Sequence, residues 1–415
     1  MISVLSKQKP ELFKIYVYIY IFIFPLDSFS FMMGFLSTIL FVWWLCIGKK
    51  YGYFIKLKEI FFNIPLLLFI LFIFYAYCSL LWTDNLLEGI NELKYYKYYW
   101  IMIPVLFTAI DKEDIKKIFY LVLLSLGIYA LFSLSIFLEL INIKGFVKEV
   151  PNGHIPYHVV TVYMGVACLF SFYFYLKENN KRIKYILLLI SFLSFFALLI
   201  NNGRIGQISF FVTLLVISIY YWKNIYKYKK TLIFIILTVL FFISLIFHFN
   251  KTDRYLVGID ELKHAYNTGI FKGSWGTRLF MWNVAKEYIP KHLIFGAGVG
   301  DTFDEIKEFV KLNPNKLLHN TVGYHNQHLD YLAKYGLFGY LLFLMFIFLL
   351  LKNLYFKNKE FFTLGLMFFS FILIDGFGDV ILSAKPFNNI YCLIIILFAV
   401  LISDDKKHIY NKNLE

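Results

Sequence analysis

The stretch from His325 to Gly339, HNQHLDYLAKYGLFG, holds the residues best suited to chemistry. It opens on His325-Asn326, runs nine residues from Gln327 to Tyr335, and closes on Gly336-x-x-Gly339. The apolar run Tyr340 to Leu351 follows directly. A histidine changes charge near neutral pH and can take a proton from an attacking hydroxyl. The plain alternative is a solvated loop histidine, with glycines that only help helices to pack. His325 ends the one long polar segment of an otherwise apolar chain, which favours chemistry. Asn326 could orient the histidine or a bound substrate.

Arginine is the second signal. Four of the 41 basic residues are arginine, which leaves 37 lysines. The four are Arg182, Arg204, Arg254 and Arg278. Arginine forks suit bidentate contact with phosphate, so a lysine-rich chain keeps arginine where geometry demands it. Arg204 sits in the tight turn Asn201-Asn-Gly-Arg204, and Arg278 in Trp275-Gly-Thr-Arg-Leu-Phe-Met-Trp282. Their other reading is anchorage at a membrane surface. A metal set drawn from His319, His325, His328 and Asp330 lacks ligand spacing, and no H-E-x-x-H or P-loop is present, so neither metal nor cofactor is expected.

The elements that must position these groups are membrane helices. Of 415 residues 60% are hydrophobic and only 16% charged, against roughly 25% charged in soluble domains. Twelve apolar runs are expected to span: Ile15–Pro25, Phe29–Ile47, Phe61–Leu81, Tyr95–Ile110, Ile115–Ile141, Tyr157–Leu176, Ile183–Ile200, Ile205–Trp222, Leu232–Phe249, Tyr335–Leu351, Phe361–Ile374 and Phe387–Ile402. The first is expected to stay in place, since no small-residue cleavage site follows it. The chain thus divides into nine spans (1–249), a polar outer loop (250–334), and three spans with a tail (335–415).

Charge sets the orientation. With the N-terminus in the cytoplasm, inner segments hold 24 lysines and arginines and short outer loops hold six. The long outer loop holds the other eleven. Both termini are therefore expected in the cytoplasm. The basic residues lie between spans rather than on a soluble domain, so the net charge of +14 reports topology, not nucleic-acid binding. Cys46, Cys78, Cys168 and Cys392 all lie in apolar runs and form no C-x-x-C pair. Within the outer loop, Leu279–Tyr288 reads as an amphipathic helix ending before Pro290. Thr302-x-x-Glu305 reads as a capping box, and Gly296-Ala-Gly-Val-Gly300 as the turn before it.

The His-Asn start, its nine-residue spacer and Gly336-x-x-Gly339 resemble the signature of the O-antigen ligase and polymerase superfamily, most closely its ligase branch. Arg204 in a Gly-Arg outer turn, Arg278-x-x-x-Trp282 and Leu81-Trp-Thr83 are similar to further family motifs. The resemblance implies an all-α, polytopic enzyme of the bacterial inner membrane with its active site in the periplasm. It would move glycan from an undecaprenyl-diphosphate carrier to a sugar hydroxyl of lipid A-core, with inversion and without metal or ATP. On that reading Arg204 and Arg278 clamp the diphosphate, His325 is the general base, and Arg254 and Asn326 bind substrate. Gly336 and Gly339 would let helices approach closely beneath the site. A polymerase using the same donor is the nearer rival. A transporter is disfavoured because the spans carry almost no charge.

Overall fold

The computed structural model describes residues 11–26, 30–222, 252–317 and 323–403. Fifteen helices matter here. In chain order they are α1 (Glu11–Ile23), α2 (Ser30–Gly48), α3 (Ile64–Cys78), α4 (Leu86–Leu93), α5 (Tyr99–Ala109), α6 (Ile115–Phe137), α7 (Tyr157–Lys177), α8 (Lys181–Ile200), α9 (Arg204–Tyr220), α10 (Thr252–Thr268), α11 (Gly273–Tyr288), α12 (Thr302–Leu312), α13 (Gln327–Lys357), α14 (Lys359–Asp375) and α15 (Lys385–Ile402).

Eleven of the twelve apolar runs coincide with helices, and the ninth, Leu232–Phe249, lies outside the described residues. Among the described residues six helices are long and apolar enough to cross a membrane. A seventh is added if Met32–Gly48 and Tyr53–Phe62, bent by 102°, form one span. The expected count of twelve is therefore not met by length and composition alone. Runs one, four and eight form the shorter helices Leu12–Leu26, Tyr99–Ala109 and Arg204–Tyr220, and run eleven gives a helix of 17 residues. Of these, Tyr99–Ala109 and the 17-residue helix are mostly buried, whereas the other two keep apolar side chains such as Leu12, Ile15, Leu215 and Ile219 exposed. In α15, one of the six, every residue from Phe387 to Ile402 is buried, as in a helix at the centre of a bundle.

Polar contacts sort the connections into two ends. At one end Lys14 pairs with Asp114 (2.6 Å), Lys116 with Glu178 (3.0 Å), and Lys357 Nζ donates to Ile402 O (2.7 Å). All of these segments are the ones that the charge pattern assigns inward. At the other end Asn202 Nδ2 donates to Glu149 O (2.8 Å) and Gln327 N to Gly376 O (2.7 Å), which joins segments assigned outward. Helices α10, α11 and α12 close over a small separate core built on Phe280, Met281, Val284, Ile306, Phe309 and Tyr324.

Two local expectations need correction. α11 begins at Gly273, six residues before Leu279. The capping box at Thr302 is not formed. Asp301 holds the N-cap position of α12 without capping it, because its carboxylate accepts from Asp84 N (3.0 Å) and Asn85 N (2.8 Å) instead. Tertiary contact has outcompeted the local cap.

The glycine pair of α13 does two different jobs. Gly336 breaks the helix at φ 62° and ψ −171°. There residues 293–298 run alongside 333–338, with Leu337 N donating to Leu293 O (2.8 Å) and Ala297 N to Ala333 O (2.8 Å). A Cβ on Gly336 would lie 2.4 Å from Gly296 N and Ile294 O. Gly339 instead seats α13 against Tyr75 of α3, whose ring a Cβ would meet at 2.8 Å. Gly336→Ala is expected to cost about 2–4 kcal/mol, adding backbone strain to overpacking, and Gly339→Ala clearly less. Thermal unfolding of the purified protein in detergent should rank them so. Equal melting temperatures would remove the role given to Gly336.

Candidate active site

Arg204 is the first residue of α9, and Gly203 is its N-cap. Gly203 and Gly206 lie flush on α7, where a Cβ would come within 2.2 and 2.5 Å of Thr161 Oγ1. That close approach pins the turn and aims Arg204 outward. Its Nη2 donates to Ser274 Oγ at 2.6 Å, and its guanidinium lies 5.8 Å from the ring centre of Trp275.

Ser274 and Arg278 stand one turn apart on α11, so both face α9. Arg278 Nη1 donates to Ser274 O (3.0 Å) and to Ser274 Oγ (3.3 Å), and its Nε donates to Gly378 O (2.5 Å). One hydroxyl oxygen thus joins the two guanidiniums that the sequence places 74 residues apart. Both side chains are only partly buried.

His325 sits just before α13 at φ 47°, in the left-handed region that few side chains adopt. The next two residues hold it there. Asn326 caps α13, its Oδ1 accepting from His328 N (3.0 Å) and Leu329 N (3.1 Å), while its Nδ2 donates to Phe377 O (3.1 Å). Gln327 N donates to Gly376 O and to Asp379 O, and Gln327 Oε1 accepts from Leu382 N. The Asn326 amide is thereby committed to backbone.

Burial pushes the His325 imidazole below the ordinary histidine value, and the charges of Arg278 and His158 push the same way. The carboxylate of Asp379 opposes them. A depressed value keeps the ring neutral, and so able to accept a proton, at neutral pH. Residues 376–379 link the two: Arg278 Nε donates to Gly378 O, and Asn326 and Gln327 donate to Gly376 O, Phe377 O and Asp379 O, so Arg204, Arg278 and the His325 segment meet at one end of the bundle.

The other predicted residues fare differently. Arg254 lies on α10 with its side chain outside the described residues, and His319 lies outside them altogether. His328 is committed to packing: Nδ1 meets Tyr340 Oη at 2.9 Å, Nε2 meets Leu373 O at 2.8 Å, and Phe377 covers the ring. Asp330 pairs with Lys334 (3.0 Å), which also pairs with Glu92 (2.7 Å). Among the described residues no group of three or more His, Cys, Asp or Glu side chains could hold a metal ion.

Sequence reasoning passed over Ser274, His158 and Asp379. Asp379 had a signal, since Asp375-Gly-Phe-Gly-Asp379 holds the only charges between Glu360 and Lys385. His158 and Ser274 had none, because only packing brings α7 and the start of α11 to this surface.

Residues 189–344 match the family model described as O-antigen ligase. The match starts within α8 and ends within α13, so it contains Arg204, Arg254, Arg278, His325 and both glycines, and stops short of Asp379. No curated protein matches the chain.

Proposed function

For a chain that carries an O-antigen ligase family domain over residues 189–344, we propose the ligase reaction itself. Glycan leaves an undecaprenyl-diphosphate carrier and joins a sugar hydroxyl of lipid A-core at the periplasmic face of the inner membrane, with both termini in the cytoplasm. The observation that supports it best is the Ser274 hydroxyl held between Arg204 and Arg278, with the loop that Arg278 contacts also bonded to the residues just after His325.

The chemistry follows from residue type. Arg204 and Arg278 hold the diphosphate and stabilise the charge that grows on it as the anomeric C–O bond breaks. The acceptor hydroxyl attacks the opposite face, so the anomeric centre inverts. His325 takes the hydroxyl proton, and Asp379 stabilises the imidazolium that results. The diphosphate is already a good leaving group, so the step needs no ATP.

A deletion strain tests the reading. A silver-stained lipopolysaccharide gel should show only the fast, bare-core band, with polymer still detected by antiserum in the carrier-lipid fraction. A band at core plus one repeat unit would mean that the acceptor is another carrier-linked glycan, which is polymerase behaviour. An unchanged ladder would exclude both.

A further inference from the structure

α11 carries Ser274 and Arg278, yet its own sequence does not cap its first turn: Lys272 stands at the N-cap position and makes no side-chain cap. The cap comes from α10. Glu261 Oε2 accepts a hydrogen bond from Trp275 N at 2.8 Å. Gly273, at φ +67°, leaves the room for it, since a Cβ there would lie 2.0 Å from Glu261 Oε1. A carboxylate at this position satisfies an orphan amide and complements the positive end of the helix dipole.

The same face of α10 touches the rest of the cluster. Gly258 lies one turn before Glu261, and a Cβ on it would come within 3.0 Å of Trp275 Nε1 and 3.1 Å of Arg204 Nη1. α10 therefore rests on Arg204 and on the first turn of α11 together. We propose that Glu261 is a positioning residue: by holding that first turn it sets where the Ser274 hydroxyl ties Arg204 to Arg278, and so how tightly the lipid diphosphate binds. The proposal rests on reading the two arginines as the diphosphate clamp.

The test uses the full chain purified in detergent, with undecaprenyl-diphosphate-linked glycan as donor. E261A should raise the KM for donor about five-fold, the scale of a lost helix cap, with kcat within about two-fold. E261Q should recover most of the affinity, because an amide oxygen still accepts from Trp275 N. A double mutant with Ser274→Ala should be no worse than the poorer single variant, since both act through the same hydroxyl. If E261A does not accumulate, Gly273→Ala displaces the carboxylate from the other side and should give the same KM effect. Additive losses, a fall in kcat at unchanged KM, or an E261Q variant as weak as E261A would each overturn the proposal. Arg204→Lys and Arg278→Lys run in parallel separate the two failures. If they raise KM and the Glu261 variants do not, only the positioning role is lost. If they too leave KM unchanged, the clamp itself is wrong.

Discussion

His325→Ala abolishes glycan transfer while the protein accumulates in the membrane at the wild-type level. The expectation follows from place and charge. His325 starts the spaced motif and lies at the end of the bundle that carries Arg204 and Arg278, and its lowered pKa keeps the ring neutral and able to take a proton at physiological pH. Its positive φ complicates an alanine, which tolerates that region poorly. His325→Asn separates the two effects, because asparagine adopts left-handed backbone readily but is no base at neutral pH. Both variants should lose transfer, and the asparagine protein should unfold at nearly the wild-type temperature. His319→Ala, outside the spaced motif, should do much less.

The pH profile adds an independent check. The base must be neutral, so the rate falls as pH drops through the His325 pKa. Burial, with Arg278 and His158 nearby, lowers that value, so the acid limb should have its midpoint below about 6.5. Asp379 raises it, so Asp379→Asn should move the limb to still lower pH. Equal transfer by the wild type, His325→Ala and His325→Asn proteins would end the idea of a catalytic histidine.

Arg204→Lys and Arg278→Lys each cost at least ~10-fold in transfer rate. A lysine keeps the charge but presents one ammonium where arginine presents a planar fork. Arg278 uses that fork fully, with Nε on Gly378 O and Nη1 on Ser274. A lysine cannot reach both while still facing an anion. One lost charge-assisted bond, about 1.5–3 kcal/mol, sets the scale. Arg278→Lys should be the worse of the two, because the contact to Gly378 also ties α11 to the loop that carries Asp379. Initial rates with purified protein and saturating acceptor decide it. Full activity in both lysine variants would reduce the arginines to surface anchors.

Much of this protein is written in its linear order. Apolar runs of helical length dictated an all-helical membrane chain, because backbone groups in lipid must be satisfied within each segment. The alternation of lysines already sorted the connections into two ends, which the contacts of Lys14, Lys116 and Lys357 bear out. The scarcity of arginine singled out Arg204 and Arg278, since residue choice records the geometry a site needs. What tertiary structure alone decided is which groups meet. Ser274 has an ordinary place in the sequence, and only the approach of the first turn of α11 to Arg204 puts its hydroxyl between two guanidiniums. Thr302-x-x-Glu305 read as a capping box, but Asp301 takes the N-cap position and its carboxylate is bonded to the backbone of residues 84 and 85. Gly336 read as a helix-packing glycine, but the 293–298 segment lies so close that the helix must break there. Short-range periodicity encodes helices, because a helix bonds only to itself. A site assembled from α7, α9, α11 and the loop after α14 has no such period, so its members become neighbours only when the chain has folded.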